Sequence, residues 1–151
     1  MRAREAGRLG EGGVLVAQVH QLSGRLFGRI LREHGIEDLN PAQGRIIFAL
    51  WREDGLTQAE LAERTKLDKS TLTLMLGRLE ASGQILRKAD PGDARLRRVH
   101  LTVRNRRLHE AYRRASGEML GHYYRGLATT EIAVFEGLLR RILLNLEEGL
   151  G

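Results

Sequence analysis

Residues Leu56 to Thr102, LTQAELAERTKLDKSTLTLMLGRLEASGQILRKADPGDARLRRVHLT, constrain the fold more than any other stretch of the chain. Thr57 stands three residues before Glu60 in a T-x-x-E capping box, and Leu61 and Ala62 follow, which predicts a short helix over about residues 57–64. The pattern breaks at Lys66 and Leu67. Asp68 then reads as the N-cap of a second helix, where Leu72, Leu76 and Leu79 recur at helical spacing until Gly83 closes it. Two helices joined by so few residues form a helix-turn-helix, and the early residues of the second one, Ser70, Thr71, Thr73 and Leu74, fall on its outer side.

The next twenty residues read as a β-hairpin. Ile85–Lys88 and Arg97–Leu101 are strand candidates, and the Ala-Asp-Pro-Gly-Asp-Ala-Arg between them supplies turn chemistry through Pro91 and Gly92. Val99 and Leu101 alternate inward against Arg98 and His100. Arg87, Lys88, Arg95, Arg97 and Arg98 load this wing with positive charge. A helix of a size to enter a major groove beside a basic hairpin points to double-stranded DNA as the partner.

At these residues the chain resembles the MarR (multiple antibiotic resistance regulator) transcription factors. The matching positions are Leu56-Thr57, Glu60-Leu61-Ala62, Ser70-Thr71 with Thr73, Arg78-Leu79-Glu80, Gly83, Ile85 and Arg87. The wing pattern D-P-x-D-x-R-x-x-x-V-x-L-T follows at Asp90, Pro91, Asp93, Arg95, Val99, Leu101 and Thr102. The clear part covers about residues 41–102; the flanking helices fit by position and periodicity. The resemblance implies a mainly α fold with a small β-hairpin wing, a winged helix-turn-helix held between N- and C-terminal dimerisation helices. It also implies a repressor that binds an inverted repeat as a homodimer and is released by a small aromatic or phenolic anion. Many relatives carry Arg where this chain has Leu74, a departure from the resemblance that puts the usual guanine contact in question and shifts more of the work onto Lys69, Arg78 and the wing.

Charge placement agrees with a polyanionic partner. The chain of 151 residues carries a formal +6. From Arg87 to Arg114 ten Arg or Lys face only Asp90, Asp93 and Glu110, so this segment holds +7 and the rest is near neutral. With no cysteine, a disulfide framework, a thiolate zinc site and a cysteine redox switch are all excluded. No apolar run approaches the length of a membrane span, and the N-terminal stretch lacks a signal-peptide core, so a soluble cytoplasmic protein is expected.

Residues 1–13 are Gly- and charge-rich and are expected to form a poorly ordered tail. Residues 14–40 carry the first helix, with Leu15, Val19, Leu22, Leu26 and Ile30 as a stripe down one side. Asn40-Pro41 opens a helix through Ile46, Ile47, Leu50 and Trp51 that is expected to face the core almost entirely and to end near Gly55. Within residues 103–151 the spacing predicts one long helix to about Leu127 and a last helix capped by Thr129 or Thr130. These helices bury more apolar stripe than one winged helix can cover, which predicts a homodimer.

The DNA contacts are assigned to Lys69, Ser70, Thr71, Thr73, Leu74, Arg78, Arg87, Asp93, Arg95 and Arg97. Arg95 is assigned to the minor groove, with Asp93 holding its guanidinium extended. In isolation the simpler reading of that pair is a surface ion pair; inside a basic hairpin the DNA contact is preferred. The family's effector pocket maps between the first helix, the Pro41 helix and the helix after Thr102, with His20, Arg25, Trp51, His109 and Tyr112 as candidates by residue type. Each of the five has an equally ordinary role as a core or surface residue.

No cofactor or metal is implied. His20, His34, His100, His109 and His122 contain no i, i+4 pair, and Glu118 with His122 is the sole helical pair at ligand spacing. An enzyme finds no Gly-rich phosphate loop, nucleophile elbow or H-E-x-x-H. RNA recognition by stacking lacks aromatics, since His100 is the one ring between Leu56 and Thr102. The competing class is a dimeric winged-helix protein-interaction module without DNA binding, which the apolar Leu74 favours and the basic wing opposes.

Overall fold

The computed structural model describes residues 10–36 and 39–151. Its elements run α1 Gly12–Glu33, α2 Pro41–Arg52, β1 Leu56–Thr57, α3 Gln58–Thr65, α4 Lys69–Ala81, β2 Ile85–Ala89, β3 Arg97–Leu101, α5 Val103–Arg107, α6 His109–Tyr123 and α7 Thr129–Leu150. Most of the expected tail, residues 1–9, lies outside the described residues, and α1 begins at Gly12, two residues before the expected start at residue 14.

Local chemistry sets the helix starts. Asn40 accepts from the Gln43 amide at 2.9 Å while the Gln43 side chain accepts from the Asn40 amide at 2.8 Å, a reciprocal capping box ahead of Pro41. Thr57 and Glu60 repeat the device at α3. Asp68 caps α4 by accepting from the Thr71 amide at 2.8 Å. Between α3 and α4 the chain turns on Lys66, whose φ of 56° is the left-handed conformation that ends a helix abruptly.

The sheet has three strands in the order β1-β3-β2, all antiparallel. The third strand was not expected: Leu56 and Thr57, read as the approach to α3, pair with Val99 and Arg98 of the wing. That pairing ties the hairpin to the start of the helix-turn-helix. Ile46, Ile47 and Leu50 of α2, Leu61 of α3, Leu72, Leu76 and Leu79 of α4, and Ile85, Val99 and Leu101 of the sheet close one core with Ile30, Leu31 and Tyr112. Burial of each large apolar side chain contributes about 1.5–3 kcal/mol to this shared core.

Three expectations about the helices are corrected. The helix after Thr102 is two helices, because Leu108 ends α5 and begins α6; Thr102 caps α5 by accepting from the Asn105 amide at 3.2 Å. The last helix starts at Thr129 with Ala128 before it, and no side chain caps it. The Pro41 helix ends at Arg52, and only one side of it faces the core: Arg45 and Arg52 are exposed and Phe48 is 54% exposed.

The terminal helices leave apolar surface uncovered. Val14, Leu15, Val16, Val19 and Leu22 of α1 are exposed, and no residue of the 22-residue α7 is buried. On α7 the exposed set includes Val134, Leu138, Ile142 and Leu146. Its attachments to the rest of the protomer include the Tyr124 hydroxyl donating to Glu136 at 2.8 Å and an ion pair of Lys66 with Glu147 at 2.5 Å. No helix of the described residues is long and apolar enough to cross a membrane.

Candidate nucleic-acid interface and ligand cavity

Helix α4 presents its polar side because Leu72, Met75, Leu76 and Leu79 are spent on the core. Lys69, Ser70, Thr73, Leu74 and Arg78 are exposed along it, with Leu74 52% exposed. Two predicted readers carry a commitment already. The Thr71 hydroxyl donates to Asp68 Oδ2 at 2.8 Å, completing the cap, and Thr71 is half-buried. Thr73 Oγ1 accepts from Gln58 Nε2 at 2.8 Å across from α3, which steadies its rotamer.

The wing divides its cations into anchors and free groups. Arg98 donates to Asp90 and, at 2.9 Å, to the carbonyl of Gly55, so it clamps the hairpin base to the start of β1. The Arg98 guanidinium beside Asp90 holds that carboxyl below the usual carboxylate range, helped by the Gly92 amide that also donates to it. Arg87 lies half-buried with Nε 3.4 Å from Glu80 of α4. Lys88, Arg95 and Arg97 are exposed and have no ion-pair partner among the described residues. Asp93 does not grip the Arg95 guanidinium: its Oδ1 accepts from the Arg95 backbone amide at 3.0 Å. The predicted pair is a turn-forming contact because the Arg95 amide is the nearer donor, and the guanidinium is left pointing free of it.

Residues of α1, α2 and α6, with Arg64 and Thr65 of α3, line an open cavity of about 780 Å³. The predicted His20, Trp51 and Tyr112 line it. Arg25 is exposed and outside the lining. His109 is outside as well, meeting Trp51 edge-on with ring centroids 4.9 Å apart. Sequence reasoning missed Arg45, Phe48 and Arg52, which face the cavity at i, i+3 and i+7 on α2. Their spacing was readable, but it was overridden by the expectation that α2 is core all round. Among the described residues no carboxylate lines the space, while Arg45, Arg52 and Arg64 do. Arg64 is paired with Glu53, Arg45 donates to the Thr65 carbonyl at 3.2 Å, and the Arg52 guanidinium lies 5.8 Å from the Phe48 ring centroid. A flat apolar group stacked among Phe48, Trp51 and Tyr112 with an anionic end at Arg45 and Arg52 suits this lining.

The family model for the MarR family matches residues 39–96, the span from the Pro41 helix to the wing tip. Over that span the chain is similar to MarR-family regulators. The transcriptional regulator PcaV from Streptomyces coelicolor, solved in complex with its natural ligand, is similar over 90% of this chain and 94% of its own, with 29% identity and a TM-score of 0.79. A MarR mutant from E.coli complexed with operator DNA is similar over 87% and 92%, with 28% identity and a TM-score of 0.76. The HTH-type transcriptional regulator TtmR of Methylorubrum extorquens (strain PA1) is 39% identical over 85 residues, 56% of this chain. The chain spans 42% of that relative's length.

Proposed function

We propose that this protein is a MarR-family transcriptional repressor that binds an inverted-repeat operator in the cytoplasm as a homodimer and leaves it when an aromatic or phenolic anion enters the cavity. One observation carries the reading: the exposed row Lys69, Ser70, Thr73, Leu74 and Arg78 on α4 stands beside a wing whose Lys88, Arg95 and Arg97 have no ion-pair partner among the described residues. Ser70 and Thr73 contact base edges or phosphates, Leu74 meets thymine methyls, and Arg95 enters the minor groove. Arg87 and Asp93 act by holding the wing in shape.

The dimer is assigned to residues 14–40 and 103–151, whose apolar stripes on α1 and α7 find no cover within one protomer. Two-fold symmetry then sets the recognition helices one turn of B-DNA apart, about 34 Å. PcaV with its natural ligand and MarR with operator DNA support the two binding roles by similarity. For the effector, Arg45 and Arg52 supply the cations and Trp51 and Tyr112 the aromatic walls.

Selection of bound duplexes from a random library tests this directly. The expected product is a palindrome whose half-sites lie one helical turn apart. If no duplex is enriched at low ionic strength, the DNA reading falls, and a winged-helix protein-interaction module takes its place. Screening phenolic acids for release of the selected duplex then tests the effector.

A further inference from the structure

A buried polar chain runs from the cavity wall to the reading surface. Trp51 Nε1 donates to Asn105 Oδ1 at 3.0 Å, and Asn105 Nδ2 donates to Gln84 Oε1 at 2.7 Å. The direction is forced, because an indole nitrogen can only donate: Asn105 must turn its oxygen to Trp51 and its amide nitrogen to Gln84. Asn105 is fully buried and Gln84 is 2% exposed, so neither can exchange these partners for water.

Both ends of the chain sit where movement would matter. Trp51 lines the cavity on α2 and is in edge contact with Tyr112, 4.4 Å between centroids. Gln84 follows Gly83, whose φ of 74° turns the chain from the recognition helix into wing strand β2. The Gln84 amide donates to the Leu79 carbonyl of α4 at 2.9 Å, and its carbonyl accepts from the Thr102 amide at 3.2 Å. The Thr102 hydroxyl donates to the Gly83 carbonyl at 2.6 Å. A second grip lies three residues beyond Trp51: Asp54 accepts from the Leu101 amide at 2.9 Å and from Arg106 at 2.6 Å. Helix α2, through Trp51, and the turn that follows it, through Asp54, therefore hold the β3–α5 junction at two points, and that junction holds the hinge between recognition helix and wing.

We propose that Asn105 is the residue through which the cavity and the DNA-reading surface sense each other: a displacement of Trp51 by a bound molecule is passed through Asn105 to Gln84 and changes the angle between α4 and the wing. This rests on the DNA and effector roles proposed above. Coupling between two binding events is reciprocal, so DNA on the reading surface must in turn be felt at Trp51.

Trp51 is the chain's single tryptophan, which makes it a built-in probe. The experiment follows the Trp51 indole N–H resonance and fluorescence of the full-length protein while a duplex recovered by selection is added, with binding itself read separately by anisotropy of the labelled duplex. In the unmodified protein the indole signal shifts as the duplex saturates. In Gln84→Met, which keeps the length of the side chain and removes the acceptor, the duplex still binds and the shift is lost; Gln84→Glu, which keeps an acceptor oxygen, retains it. A shift of the same size in Gln84→Met, or a silent Trp51 in the DNA-bound unmodified protein, overturns the relay and leaves the DNA reading standing. The measurement on the unmodified protein decides against the relay even if Gln84→Met does not fold. Absence of any bound duplex overturns the DNA reading, and the relay with it.

Discussion

Replacing Arg95 by Ala removes one of five cations on the reading surface that carry no ion-pair partner among the described residues: Lys69, Arg78, Lys88, Arg95 and Arg97. Arg87 and Arg98 are left out of that set because Glu80 and Asp90 already neutralise them. In the proposed dimer, full engagement of these cations with phosphates sets an upper limit of about −9 on the slope of log affinity against log salt concentration. Arg95→Ala in both protomers reduces that slope by roughly 1.8, to about −7, and weakens binding about 5- to 150-fold at fixed salt. The assay is fluorescence anisotropy of the selected duplex over roughly 50–200 mM salt, where the full contact set loses about 10³- to 10⁵-fold in affinity. Arg98→Ala is the contrast: it frees Asp90 and the Gly55 carbonyl, so it loosens the wing without removing a phosphate contact. An unchanged slope and affinity in Arg95→Ala refutes the wing as a DNA contact. Equal slope losses in Arg95→Ala and Arg98→Ala refute the division between free and anchored cations.

Other expectations follow from the same geometry. Leu74→Arg places a guanidinium at an exposed site of the recognition helix, and repeating the selection with this variant is expected to enrich guanine at one half-site position, worth about 1–3 kcal/mol of discrimination. Ile142→Glu combined with Leu146→Glu charges the uncovered side of α7 and is expected to yield a monomer by light scattering with helix content unchanged by circular dichroism; a surviving dimer would put the interface elsewhere. Trp51→Phe leaves Asn105 Oδ1 buried without its donor and is expected to cost about 1–3 kcal/mol in urea unfolding. The Tyr124 hydroxyl, donating to Glu136 and partly shielded from water, is pushed up to about 12. Its contribution to stability is fully present below the ordinary phenol value near about 10 and is lost as pH rises through its raised value, and Tyr124→Phe is expected to flatten that alkaline decline.

What the sequence determined was the part whose physics is local. The caps at Asn40, Thr57 and Asp68, the apolar spacing of Leu72, Leu76 and Leu79, and the Pro91-Gly92 turn are each decided within a few residues, so the helix-turn-helix and its wing were legible, and with them the resemblance to MarR regulators. Other features needed the chain to come together. Strand β1 exists because Leu56 and Thr57 meet Val99 and Arg98 more than forty positions away, and no short-range pattern announces such a pairing. Which arginines are free was equally hidden: Arg95 and Arg98 are three residues apart on one hairpin, yet Asp90 and Gly55 take Arg98 while Asp93 spends its carboxylate on a backbone amide. The cavity shows the same division. Arg45 and Arg52 look like ordinary solvated helix residues until α1 and α6 form the other walls of the cavity whose rim they line, and Asn105 looks like a turn residue until Trp51 and Gln84 bond to it in the interior. Hydrogen bonds and ion pairs are short-ranged in space and indifferent to distance along the chain, so their partners are fixed only when tertiary packing excludes water from between them.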